Sequence, residues 1–165
     1  MTEELEAKLD AGYVDYMRAW SKRYLGRVRA CIHTVKMLRS EIAELEQMMD
    51  GVGAVRYDRE RTGGTPDDEG LLRRIERMES MRAEFADELD ANLQAQADAH
   101  RALAKVRQPW RAVLTYRYLE GMTWADVAEA VGYSEVYCKT DLHDNGLVEL
   151  FPFVPHEYDE FPEAI

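Results

Sequence analysis

The sequence predicts an all-α protein: a long antiparallel helical hairpin, then a unit of short helices, then an irregular tail rich in proline and aromatic residues. Three patterns predict it. Apolar residues recur in alternating steps of four and three from Tyr24 to Met49. A second such run extends from Ile75 to Val106. Helix start and stop residues then crowd together between Pro109 and Leu147. The expected division is a hairpin over residues 1–107 with a loop at about 50–70, a helix-turn-helix unit over 108–150, and a tail over 151–165.

Bulk properties narrow the class. A chain of 165 residues fits one compact domain, with or without an extended element. Hydrophobic content of 46% with 32% charged residues argues against general disorder. A net charge of −11 excludes coating nucleic acid through overall charge, while leaving room for a local basic face. Cys31 and Cys138 are too few for a disulfide framework and lack zinc spacing, so buried, reduced thiols are expected. The acidic start MTEELEAKLD does not read as a secretory signal, and no apolar run reaches the roughly 18 residues of a membrane span. A cytoplasmic protein without a membrane partner is the expectation.

The first helix carries Tyr24, Val28, Cys31, Val35, Leu38, Ile42, Leu45 and Met49 in register, a coiled-coil seam. One amphipathic rod cannot bury its own stripe, so it needs a partner. The second run supplies one: Ile75, Met78, Arg82, Phe85, Leu89, Asn92, Gln96, Ala99, Leu103 and Val106. Its polar members, Arg82, Asn92 and Gln96, are either partly uncovered or fix register. An antiparallel pairing within one chain is preferred; a parallel seam between two copies is the rival.

The connection, "DGVGAVRYDRERTGGTPDDEG", is long for a helix–helix link. A solvated surface loop is one reading. An anion- or nucleic-acid-contacting arm built on Arg56, Arg59 and Arg61 is the other. Charge is also unevenly spread. Residues 16–40 hold seven Lys and Arg and no acid, whereas 141–165 hold seven acids and no Lys or Arg. That asymmetry invites pairing within a chain or between copies.

In the C-terminal part, Pro109 can open a helix carrying Trp110, Val113, Leu114, Arg117 and Tyr118. Gly121 can stop it. Thr123 with Asp126 makes a capping-box-like start to the next helix, whose inward face is Trp124, Val127, Ala128 and Val131. Gly132 allows a left-handed turn, and Ser134 can cap a third helix in which Cys138 and Leu142 face the core. Asn145-Gly146 looks like an early stop to that helix. The tail, with Phe151, Phe153, Val154, Tyr158 and Phe161 between prolines, is expected to dock on its own protein; a short linear binding motif is the alternative.

The stretch from Arg117-Tyr118-Leu119-Glu120-Gly121 to Gly132-Tyr133-Ser134 resembles the sigma-factor region-four type of helix-turn-helix, most closely that of RinA/ArpU-like phage transcriptional regulators. Arg56-Tyr57-Asp58-Arg59-Glu60-Arg61 resembles the loop motif of the same family. The resemblance implies a phage or prophage transcriptional regulator that binds double-stranded DNA, works as a homo-oligomer, and acts with the transcription machinery. The third helix departs from the pattern: relatives place several cations after the serine, whereas here Glu135, Lys139, Asp141 and Asp144 give a net −2.

The candidate DNA-contacting residues are therefore Arg111, Arg117, Ser134, Tyr137, Lys139, Thr140 and His143, with Arg56, Arg59 and Arg61 as a secondary basic arm. The rival reading is an assembly protein, such as a packaging adaptor, whose helix-turn-helix meets protein. No catalytic constellation, metal-ligand spacing or cofactor motif is present. His33, His100, His143 and His156 are scattered, and Gly63-Gly64 lacks the P-loop pattern. A non-enzyme is expected.

Overall fold

The computed structural model describes residues 3–62 and 68–156, and the side chains of 10–55, 57–58 and 69–156. The chain is all-α, with no strand among the described residues. Helix α1 is Glu3–Thr62 and α2 is Asp68–Leu103. Helix α3 covers residues 110–119, α-helical over Trp110–Leu114 and π-helical over Thr115–Leu119. Helix α4 is Trp124–Val131. Helix α5 covers residues 135–150, with a π-helical stretch at Cys138–Leu142 between α-helical Glu135–Tyr137 and His143–Leu150. A 3-10 turn, Phe151–Phe153, follows. No described helix is long and apolar enough to cross a membrane.

The chain forms two compact units, and their limits differ from the expected division. One is Cys31–Gln94; the other joins Met1–Ala30 to Ala95–Ile165. The start of α1 thus belongs with the trihelical part instead of with a separate hairpin domain, because aromatic side chains of α1 pack on the tail.

In the Cys31–Gln94 unit, α1 and α2 of one chain form the hairpin. Its core is Leu45, Val52 and Met78, flanked by Met49, Leu71, Ile75 and Phe85. The expected seam is largely present, since Val35, Leu38 and Leu45 are all buried. Arg82, placed in the seam by spacing, instead reaches outward to Glu46 at 2.9 Å. Asn92 turns its amide back to the carbonyl of Glu88 at 2.8 Å. Of the three polar seam residues, these two have partners and stay out of the core, so neither costs the desolvation of an unpaired buried group.

The loop expected at about 50–70 is mostly helix, since α1 continues to Thr62. Gly51 and Gly53 lie inside it, where an added Cβ would meet nothing. Glycine weakens a helix interior by only about 1 kcal/mol, and Val52 offsets this by burying in the core. Residues 63–67, with Gly63 and Gly64, lie outside the described residues.

In the other unit, Ser21, Leu25 and Val28 form the inward stripe of α1, so the core position is Leu25, one residue beyond Tyr24. The trihelical core is Val113, Val127, Ala128, Cys138 and Leu142, with Trp110, Tyr116, Met122, Trp124 and Val131 against it. Cys138 is fully enclosed, and burial pushes its thiol pKa up, which keeps it a neutral packing group.

The described part of the tail, residues 151–156, packs on α1. Phe151 sets its edge on Tyr13 and Tyr16, at centroid distances of 6.2 and 5.9 Å. Trp20 Nε1 donates to the Pro155 carbonyl at 3.3 Å, and Val154 is buried. Tyr158 and Phe161 lie outside the described residues.

Candidate nucleic-acid interface

The turn between α4 and α5 is held by its caps. Thr123 Oγ1 accepts from the Asp126 N–H at 3.2 Å, an N-cap, and donates to the Asp126 carboxylate at 2.7 Å, so the carboxylate meets the cap's hydroxyl and not the backbone N–H of a full capping box. At the end of α4, Gly132 adopts φ +77°, and the N–H groups of Gly132 and Tyr133 both return to the Ala128 carbonyl. Only glycine takes that backbone freely. Ser134 then caps α5 by accepting from the Tyr137 N–H at 3.2 Å.

Helix α5 does not stop at Asn145-Gly146. It runs on to Leu150, and Gly146 is buried against α3. A Cβ there would lie 3.2 Å from Leu114 and 3.3 Å from the Cβ of Trp110. The glycine therefore serves close helix approach, which outweighs its poor helix propensity.

The outward face of α5 presents Val136, Tyr137, Lys139, Thr140 and Asp141, all exposed, with Tyr133 just ahead of it. Val136 is 72% exposed, and the rings of Tyr133 and Tyr137 lie 5.5 Å apart. Thr140 Oγ1 donates to the Val136 carbonyl at 2.8 Å. That hydroxyl competes for the acceptor the α-helical ladder would use, and the π-helical widening falls at this point. The described tail residues pack on Tyr13, Tyr16 and Trp20.

A cleft of about 440 Å³ opens beside this face. Arg18 and Lys22 border it from α1, and Lys139, His143 and Asp144 from α5, with Trp124 at its wall. Arg18 and Lys22 are four apart and so share one helix face. Arg18 pairs loosely with Asp15 at 3.4 Å, while its Nε is buried with no hydrogen-bond partner among the described residues. Lys139 pairs with Glu135 at 3.1 Å. Both groups of that pair are half-exposed, so it contributes about 0.3–0.5 kcal/mol and releases Lys139 easily to a stronger acceptor.

His143 corrects an expectation. It is only 6% exposed and belongs to a buried network instead of an outward contact face. The arrangement fits an Nδ1–H tautomer donating to Asp144 at 3.2 Å, with Nε2 accepting from the Tyr118 hydroxyl at 2.9 Å. Trp124 meets the ring edge-on at 5.2 Å. Burial lowers the His143 pKa, and Lys22 and Arg117 add to that, while Asp144 opposes it. Burial raises the Tyr118 pKa and keeps its hydroxyl a donor.

The other expected residues separate. Arg117 donates to the Met122 carbonyl at 2.9 Å and lies 4.9 Å over the Trp124 ring, which ties the α3–α4 turn together. Ser134 is spent as a cap. Arg111 is exposed on α3 and is not among the residues bordering the cleft. Arg56, Arg59 and Arg61 fall on the helical end of α1, so they form no loop arm, and their side chains lie outside those described. In the sequence Arg18 and Lys22 belong to a basic stretch beside Tyr16, Trp20 and Tyr24 that reads first as a solvated helix face and second as a nucleic-acid contact, so neither is among the expected site residues. Their signal was the acid-free stretch 16–40 with a four-residue spacing.

No family model, curated protein or solved structure matches this chain.

Proposed function

We propose that this chain is a DNA-binding transcriptional regulator of the phage or prophage type, working as a homo-oligomer and contacting duplex DNA through α5. The observation that carries the reading is the cation-edged cleft beside an open, doubly capped helix-turn-helix. Arg18, Lys22 and Lys139 border it, and the Arg18 guanidinium is held only by the loose 3.4 Å contact to Asp15 among the described residues. A phosphate oxygen offers the solvent-facing nitrogens of that guanidinium a stronger, charge-assisted acceptor than the Asp15 contact. Val136 and the Thr140 methyl suit thymine methyl groups, while Tyr137 and Lys139 suit polar base edges or phosphates. The resemblance of residues 117–134 to region-four-like regulators supports the same reading.

The test is titration of a labelled duplex taken from the DNA beside its own gene, at low and rising salt. Binding should weaken steeply as salt rises. Lys139→Glu should weaken it about tenfold or more, roughly 1.4 kcal/mol, without loss of helical circular dichroism. No association at low salt overturns the proposal.

One observation favours a second reading, an assembly protein whose helix-turn-helix meets protein: Tyr133, Val136 and Tyr137 form an exposed apolar set. That reading requires no DNA association, and a protein contact that Val136→Asp destroys and salt leaves nearly unchanged.

A further inference from the structure

The hairpin unit carries a groove that the DNA reading does not use. It holds about 430 Å³ between α1 and α2. Leu45, Met78 and Phe85 line its floor, and Met48 and Met81 stand at its mouth, 52% and 39% exposed. Glu41 and Glu44 edge it from α1, Arg74 and Arg77 from α2. None of these four charges has an ion-pair partner among the described residues.

The charges are sorted along the groove. The Glu46–Arg82 ion pair shows which turns lie level in the antiparallel hairpin, with α1 numbers rising as α2 numbers fall. Glu41 and Glu44 therefore lie toward the Phe85 end, and Arg74 and Arg77 toward the opposite end. At 1.5 Å per residue, Glu44 and Arg77 are offset by about 10 Å along the axis, too far to pair with each other readily. The groove thus has an acidic end, a methionine centre and a basic end.

We infer that this groove is a self-association surface, occupied by the same groove of a second copy turned end for end. A half-turn about an axis crossing the groove lays each glutamate end on the other copy's arginine end, and methionine on methionine. An isologous contact needs such a self-complementary patch. Methionine packs adaptably at contact surfaces, and exposed apolar patches rimmed by charge mark interaction sites. The charges set orientation and partner choice more than affinity.

The test is sedimentation equilibrium of the full chain at micromolar concentration. The wild type should be a dimer. Glu41→Lys with Glu44→Lys should weaken it at least tenfold, as should Arg74→Glu with Arg77→Glu. An equimolar mixture of the two double variants should restore the dimer, because each then meets opposite charge at both ends. Met48→Glu with Met81→Glu should give monomers of unchanged helical circular dichroism. A monomeric wild type overturns the inference. So does a dimer that neither charge reversal weakens, or a mixture that fails to recover. All these outcomes are read without DNA; a monomeric wild type would also remove the homo-oligomer from the proposed function, while DNA contact through α5 is left to its own experiment.

Discussion

Single side chains here do work that their residue type alone does not announce. His143 is a buried neutral ring between Tyr118 and Asp144, with Lys22 and Arg117 as the nearby cations. Its pKa in the folded chain lies below the ordinary histidine range. As pH falls through about 6.5, the unfolded chain takes up a proton that the folded chain resists, so stability is full above that value and lost below it. The thermal midpoint of the wild type should therefore fall between about pH 7.5 and about pH 5.5. His143→Asn should flatten that slope even though it lowers the midpoint overall. A wild-type midpoint that is level across the window would contradict this account of the ring.

Gly146 is the second such residue. Leu114 is fully buried and has little freedom to yield to a new side chain. Gly146→Val should destabilise the unit by about 1–3 kcal/mol through overpacking, despite replacing a glycine in a helix. A chemical-denaturation midpoint equal to wild type would show that α3 and α5 can move apart.

At the scale of elements, the reading surface depends on two caps. Thr123→Ala and Ser134→Ala should each cost about 1 kcal/mol, the usual worth of an N-cap oxygen. The first loses two hydrogen bonds of one hydroxyl and the second a single bond, so Thr123→Ala should cost more. Equal, negligible losses in urea unfolding would place the stability of this turn elsewhere. These caps were legible in the sequence, because Thr-x-x-Asp and Gly-Tyr-Ser carry their geometry locally. The hairpin seam was legible for the same reason: a four-three apolar rhythm is local information. The end of α5 was not. Asn145-Gly146 reads as a stop until Leu114 and Trp110, over thirty residues away, are seen to need the space. The run of α1 to Thr62 was hidden by glycines whose cost is small beside tertiary burial.

At the scale of the whole molecule, charge sorting is the recurring theme. Net acidity of −11 coexists with a cleft bordered by three cations and Asp144, and two of the cations, Arg18 and Lys22, come from residues 16–40, which contain no acid. Of the candidate site, the sequence marked Lys139, Tyr137 and Thr140 on one outward face. It misassigned His143, whose burial depends on Tyr118 and Trp124 closing over it. Arg18 and Lys22 it placed in the acid-free stretch 16–40, where a solvated helix face was the preferred reading over a nucleic-acid contact; they border the cleft because the Ser21–Leu25–Val28 stripe of α1 is buried in this unit.

The most direct measurement is the slope of log affinity for duplex DNA against log salt, for the wild type and for Arg18→Ala/Lys22→Ala/Lys139→Ala. Each lost phosphate contact removes about 0.9 from the slope, so the triple variant should be shallower by about two to three. A wild type that does not bind at low salt, or identical slopes for the two proteins, would contradict the assignment of this cleft to a nucleic-acid backbone.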